Sequence, residues 1–171
     1  AERSEGNLLA CVQEIEKLVL LQGSGAVTTE QLAAAVADSA RFDVYGLVDA
    51  ALGGGAGRAL RVLHGLRAEG TAETLILWAC AREVRLLAAI SADLDAGGRL
   101  DALLQAKGIR DKRRSLVQQA LRRGSTAGWR EALRLCERCD RAIKGQGSGD
   151  PWQLLEDLAL AMGGRALPPP L

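Results

Sequence analysis

The stretch TAETLILWACAREVRLLAAISADLDAG, residues 71–97, decides the fold. From Leu75 to Ala81 it is apolar on nearly every side, and charge returns only at Arg82, Glu83 and Arg85 on its middle turns. A helix that is hydrophobic all round must be surrounded by other elements. Residues 71–97 are therefore expected to form the central, most buried helix of a helical domain.

The flanking segments read as the helices that surround it. On the C-terminal side, RLDALLQAKG is a short helix, and IRDKRRSLVQQALRRG carries an inner stripe of Leu116, Val117, Ala120 and Leu121. STAGWREALRLCERCDRAIKG is longer, with Trp129, Leu133, Cys136 and Ile143 facing inward. After the linker-like GQGSG, the segment DPWQLLEDLALAM starts with Asp150 as cap and Pro151 at the first helical position. Trp152, Leu155, Leu158 and Met162 are its packing residues, and GGRALPPPL beyond it is expected to fray from about residue 164. On the N-terminal side, RALRVLHGLRAEG offers Leu60, Leu63 and Leu66 to the core, and SARFDVYGLVDAAL offers Val44, Leu47, Val48 and Leu52 behind an Asp43 cap. Ahead of these lie VTTEQLAAAVADS, with Thr28 and Gln31 spaced as a capping box, and AERSEGNLLACVQEIEKL. That first helix is capped by Asn7 and striped by Leu8, Val12, Ile15 and Leu18. No segment alternates in the manner of a strand. The expectation is an all-α bundle of about nine helices with short loops. Because the chain opens without methionine on a finished helix, it reads as the C-terminal part of something longer.

Composition agrees. The 171 residues are 48% hydrophobic but only 3% aromatic, so the core is built from leucine, alanine and valine, which favours helix packing over a sandwich. Of four prolines, three sit in the tail, which leaves the interior nearly free of helix breakers. Net charge is +1, and no global field draws the chain to nucleic acid or membrane. Its distribution is uneven: residues 99–144 carry 13 basic and 5 acidic groups, a net of +8, whereas residues 1–57 carry 3 basic and 8 acidic, a net of −5. No apolar run approaches the roughly 18–20 residues of a membrane span, and the opening lacks the pattern of a signal peptide. Four cysteines without a regular framework indicate a reducing compartment, by default the cytoplasm.

Candidate chemistry is sparse. GGGAGRAL at 53–60 lacks the Gly-Lys-Ser/Thr ending of a phosphate loop and reads as an inter-helix turn. Cys136 and Cys139 form a single CERC, whereas zinc needs about four ligands; Cys11 and Cys80 stand apart, so packing is the expected role. The single histidine, His64, has no nucleophile pattern around it and reads as a surface or half-buried helix residue. Glu14/Glu16 and Glu156/Asp157 read as solvated carboxylates. No catalytic residue, cofactor or metal site is expected. The run RDKRR with Arg122 and Arg123 leaves one alternative function, a helical nucleic-acid-binding module using the basic surface of residues 99–144.

Five segments, EGNLLACVQEIEKL, VADSARFDVYGLVDAAL, LRVLHGLRAEGTAETLILWACAREVRLLA, KRRSLVQQALRR and GDPWQLLEDLALA, resemble in that order the C-terminal half of the clamp-loader delta-subunit family of bacterial DNA polymerase III. The resemblance runs over nearly the whole chain and is weakest in residues 93–107 and the tail. It implies that residues 1–24 are the last helix of an AAA+-like lid domain and residues 25–171 a helical collar domain. Leu9 falls where ATP-binding relatives carry a sensor-2 arginine; a leucine cannot contact a γ-phosphate, which fits a non-ATPase subunit of the polymerase holoenzyme. Relatives often have tryptophan where this chain has Arg110, in GIRDKRR. The implied partners are gamma/tau and delta-prime through the collar, with the sliding β clamp met only by an N-terminal domain lying outside this sequence and primed DNA the target of the whole complex. Such a role needs a rigid helical block with one charge-patterned face. Arg82, Arg85, Lys112, Arg113 and Arg114 are the candidates for it, since arginine is favoured where ion pairs cross interfaces.

Overall fold

The computed structural model describes residues 44–165. The helices expected before residue 44, with Leu9, the Thr28/Gln31 pair and the Asp43 cap, lie outside the described residues, as do the end of the tail and the side chain of Lys112. Among the described residues there are seven helices and no strand: α1 (44–52), α2 (Ala56–Ala68), α3 (Glu73–Asp95), α4 (Leu100–Ala106), α5 (Asp111–Arg123), α6 (Thr126–Ile143) and α7 (Pro151–Met162).

The expected central helix is the hub. α3 runs for 23 residues and packs against α4, α5, α6 and α7, with α6 its principal neighbour. α7 lies against α3 and α6 and also receives α2. Ile76, Val84, Leu87 and Ile90 of α3 are completely buried, and Leu104, Val117, Leu158 and Met162 meet them in one continuous core. Helices that supply little aromatic volume must pack closely, and the alanines allow it: Ala59, Ala120, Ala132 and Ala159 are all buried.

Two expectations about faces need correction. Leu60 does not lead the inner stripe of α2; Ala59 does, together with Leu63 and Leu66. Offsets of four and then three residues keep one helical face, and the smaller alanine occupies the tight first turn. α3 is also not enclosed on every side, because Trp78 is 50% exposed. The neighbours of α3 leave one strip uncovered, and Thr74, Trp78, Arg82, Arg85 and Ala89 follow each other along it at helical spacing.

The helix ends follow the sequence closely. Asp150 Oδ1 accepts from the backbone N–H of Trp152 at 2.7 Å and of Gln153 at 3.1 Å, with Pro151 in the first turn of α7. Ser125 Oγ accepts from Gly128 N–H at 3.1 Å and caps α6. The glycine cluster is the α1–α2 turn, with Gly54 at φ 80 and the Arg123 guanidinium packed over it. Arg123 donates from Nη2 to the Leu52 carbonyl, so α1 is held at its C-terminal end by α5. Gly124 is required for a different reason: a Cβ there would stand 2.5 Å from the Trp129 indole.

Candidate subunit-interface site

The uncovered strip of α3 forms one wall of an open groove of about 460 Å³ whose other wall is α6. Leu77, Trp78 and Arg85 line it from α3, and Leu133, Glu137 and Asp140 from α6. Trp78 and Tyr45 are the exposed large hydrophobic side chains among the described residues, and only Trp78 borders this groove. The Arg82 guanidinium stands 5.9 Å from the Trp78 ring centroid, one turn further along α3, and Arg82 keeps 57% of its side chain exposed. The groove therefore presents an apolar plate, Arg85 and two carboxylates on a two-helix frame, with Arg82 beside Trp78 on the same strip. The stretch from Leu75 to Ala81, apolar on nearly every side in the sequence, is open at Trp78; the signal for that exposure was the Trp78, Arg82, Arg85 spacing, which interrupts the apolar run on one face only.

The proposed interface arginines separate into two groups. Arg82 and Arg85 share the α3 strip with Trp78. On α5, Arg113 and Arg114 are engaged within the chain. Arg113, with 30% of its side chain exposed, pairs through Nη2 with the Glu83 carboxylate and through Nη1 with Asp49 at 3.5 Å. Arg114 pairs with Asp101 at 2.7 Å, tying α5 to α4. Glu83 is only 4% exposed, and its other oxygen lies 3.7 Å from Arg82 Nε. A buried carboxylate needs such a partner, so the Glu83–Arg113 pair fixes α5 against α3. Asp111 opens α5 at φ 52, a left-handed conformation that aspartate tolerates, immediately after the exposed Arg110.

Cys136 lines the groove, with Cys80 and Cys139 as its neighbours, and all three described cysteines are free and buried. Burial pushes the Cys136 thiol up to about 11, against the opposing charge of Arg85. Burial likewise raises Cys139 to about 12, assisted by Cys136. Cys80 is pushed higher still, first by burial and then by the neighbouring Cys136 and Cys139. Thiols held protonated in this way are packing groups. Among the described residues no group of three or more His, Cys, Asp or Glu side chains is arranged to hold a metal.

His64 is a surface residue of α2, as expected, and meets Glu156 of α7 at 2.9 Å. Glu156 is accordingly half-buried and paired instead of freely solvated. Arg67 stacks 5.2 Å from the Trp152 ring at the same α2–α7 junction. No helix among the described residues is long and apolar enough to cross a membrane.

Comparison with known proteins agrees with this architecture. Residues 44–169 match the family described as processivity clamp loader gamma complex DNA pol III C-term. DNA polymerase III subunit delta of Escherichia coli (strain K12) is 35% identical over 158 residues, which is 92% of this chain and 46% of that protein. The chain thus spans about half the length of that relative. With a matching family over most of its length and a helical core to suit, the chain belongs to the family formed by the C-terminal part of the DNA polymerase III clamp-loader protein delta.

Proposed function

We propose that this chain is the collar region of a delta subunit, and that it holds delta in the clamp-loader assembly beside gamma/tau and delta-prime. The assembled complex opens the β clamp and loads it onto primed DNA, and this region contributes assembly instead of chemistry. Residues 25–171 form the collar in this reading, and residues 1–24 end a preceding lid. Leu9 at the sensor-2-like position supports a non-ATPase role, and the work takes place in the cytoplasm, where the replisome acts.

The observation that carries the proposal is Trp78 on the α3 strip. A half-exposed tryptophan flanked by Arg82 and Arg85 beside a groove has the composition of an interface centre, where aromatic residues and arginine concentrate the binding energy. Arg113 and Arg114 serve this reading indirectly, by fixing α5, whereas Lys112 remains a candidate contact. Light scattering after size-exclusion chromatography, with the chain mixed with gamma/tau and delta-prime, tests it. The wild-type chain is expected to co-elute, and W78A to weaken the complex by about 2 kcal/mol, roughly 30-fold. Co-elution unaffected by W78A would remove the groove from the interface.

A further inference from the structure

The solvent face of α6 carries a feature that the groove does not use. Arg130, Arg134, Arg138 and Arg141 follow one another at offsets of four, four and three residues, which places all four on one helical face. All are exposed, and they lie opposite the buried set Trp129, Ala132, Leu135, Cys136 and Cys139. Within the strip only Arg134 has a carboxylate partner, Glu131 at 2.6 Å. Arg141 donates to the Gln146 carbonyl at 3.3 Å, and Arg130 and Arg138 have no partner among the described residues.

We propose that this arginine strip binds the phosphate backbone of nucleic acid. Its composition disfavours a protein partner: no large apolar side chain lies among the four arginines, and protein interfaces need a buried apolar centre depleted of charge. A polyphosphate needs the opposite, a line of cations with no hydrophobic anchor. Successive arginines four residues apart advance about 6 Å along the helix. Phosphates on one duplex strand rise roughly 3.4 Å each along the duplex axis and stand farther apart than that along the backbone itself, so an arginine row of this pitch can meet the phosphates of one strand in turn. Arginine also offers a fork that meets phosphate oxygens bidentately. Glu137 and Asp140 lie to the groove side of the strip, with Asp140 neutralised by Lys144 at 2.7 Å, so they bound the contact on one edge. None of the four arginines lines the groove beside Trp78, so the proposal stands independently of the assembly reading.

The test is fluorescence anisotropy of the full chain with a labelled duplex and with one of its strands, across a salt series. Four phosphate contacts predict a log–log salt slope near −3.6 for duplex and near −2.8 for single strand, or roughly a 150-fold loss of duplex affinity between 50 and 200 mM salt. Losing two contacts in R130A/R138A should cut that to roughly 12-fold. R130K/R138K, which keeps the charges, should retain the wild-type slope, and R82A/R85A on the α3 strip should leave it unchanged. Absence of binding at 50 mM salt, or a slope that R130A/R138A leaves intact while circular dichroism reports a folded chain, would overturn the proposal. Whichever probe binds more tightly identifies the form of nucleic acid recognised.

Discussion

Replacing Arg113 by alanine should destabilise the fold although the residue is 30% exposed and lies in a run that reads as surface. Its guanidinium is the close partner of Glu83, which is 95% shielded at the side chain and cannot be rehydrated without opening the α3–α5 contact. Removing one member of a buried pair typically costs about 3–5 kcal/mol, because the remaining charge is left uncompensated. Two features reduce that here: Arg82 Nε stays 3.7 Å from Glu83, and the space vacated by Arg113 opens to water. The expected loss is about 2–3 kcal/mol, most of it desolvation of Glu83. In urea, with a slope near 2 kcal/mol per molar, the midpoint should fall by about 1–1.5 M. The distinguishing signature is asymmetry. Glu83→Gln removes the buried charge and leaves an arginine that can hydrate itself, so it should cost less than R113A, and E83Q/R113M should lie closer to wild type than R113A does. If R113A lies within about 0.5 kcal/mol of wild type, or E83Q is the more damaging single change, the pair is not what holds α5 in place.

Other consequences are equally specific. Gly124→Ala should cost about 1–3 kcal/mol, because its methyl would stand 2.5 Å from the Trp129 indole; near-UV dichroism and a urea midpoint would register both the repacking and the loss. Asp150→Ala should cost about 1 kcal/mol by freeing the Trp152 and Gln153 amides, with faster amide exchange confined to the first turn of α7. The thiols should make the fold alkali-sensitive. They ionise near 9.0 when unfolded, whereas the folded chain holds Cys136 protonated to about 11 and Cys139 to about 12. The unfolded state therefore binds fewer protons above pH 9, and stability present below that pH is lost through this window by up to about 1.4 kcal/mol per pH unit for each thiol. Urea midpoints at pH 8 and pH 10.5 should converge in C139A relative to wild type.

Much of the fold was legible because α-helical burial is a local periodic signal. Leu63, Leu66, Val117, Leu155, Leu158 and Met162 were placed correctly by spacing alone, and Asp150 with Pro151 by cap chemistry. The exposure of Trp78 within an apolar stretch has a physical reason: periodicity shows which residues could be buried, while the number of neighbouring helices decides which are. The Glu83–Arg113–Asp49 cluster was invisible because its members are separated by 30 and 34 positions along the chain, and only packing brings them together. Charge content did announce residues 99–144, but it could not divide Arg113 and Arg114, engaged across helices on α5, from Arg130 and Arg138 on α6, which have no partner among the described residues.

The central claim, assembly through the α3 strip, is tested most directly by hydroxyl-radical footprinting of Trp78 before and after mixing with gamma/tau and delta-prime. Half-exposed in the free chain, the indole should label readily there and lose most of that labelling in the complex. Labelling of Trp78 that stays unchanged in a complex of verified stoichiometry would contradict the account and place the interface on another face of the domain.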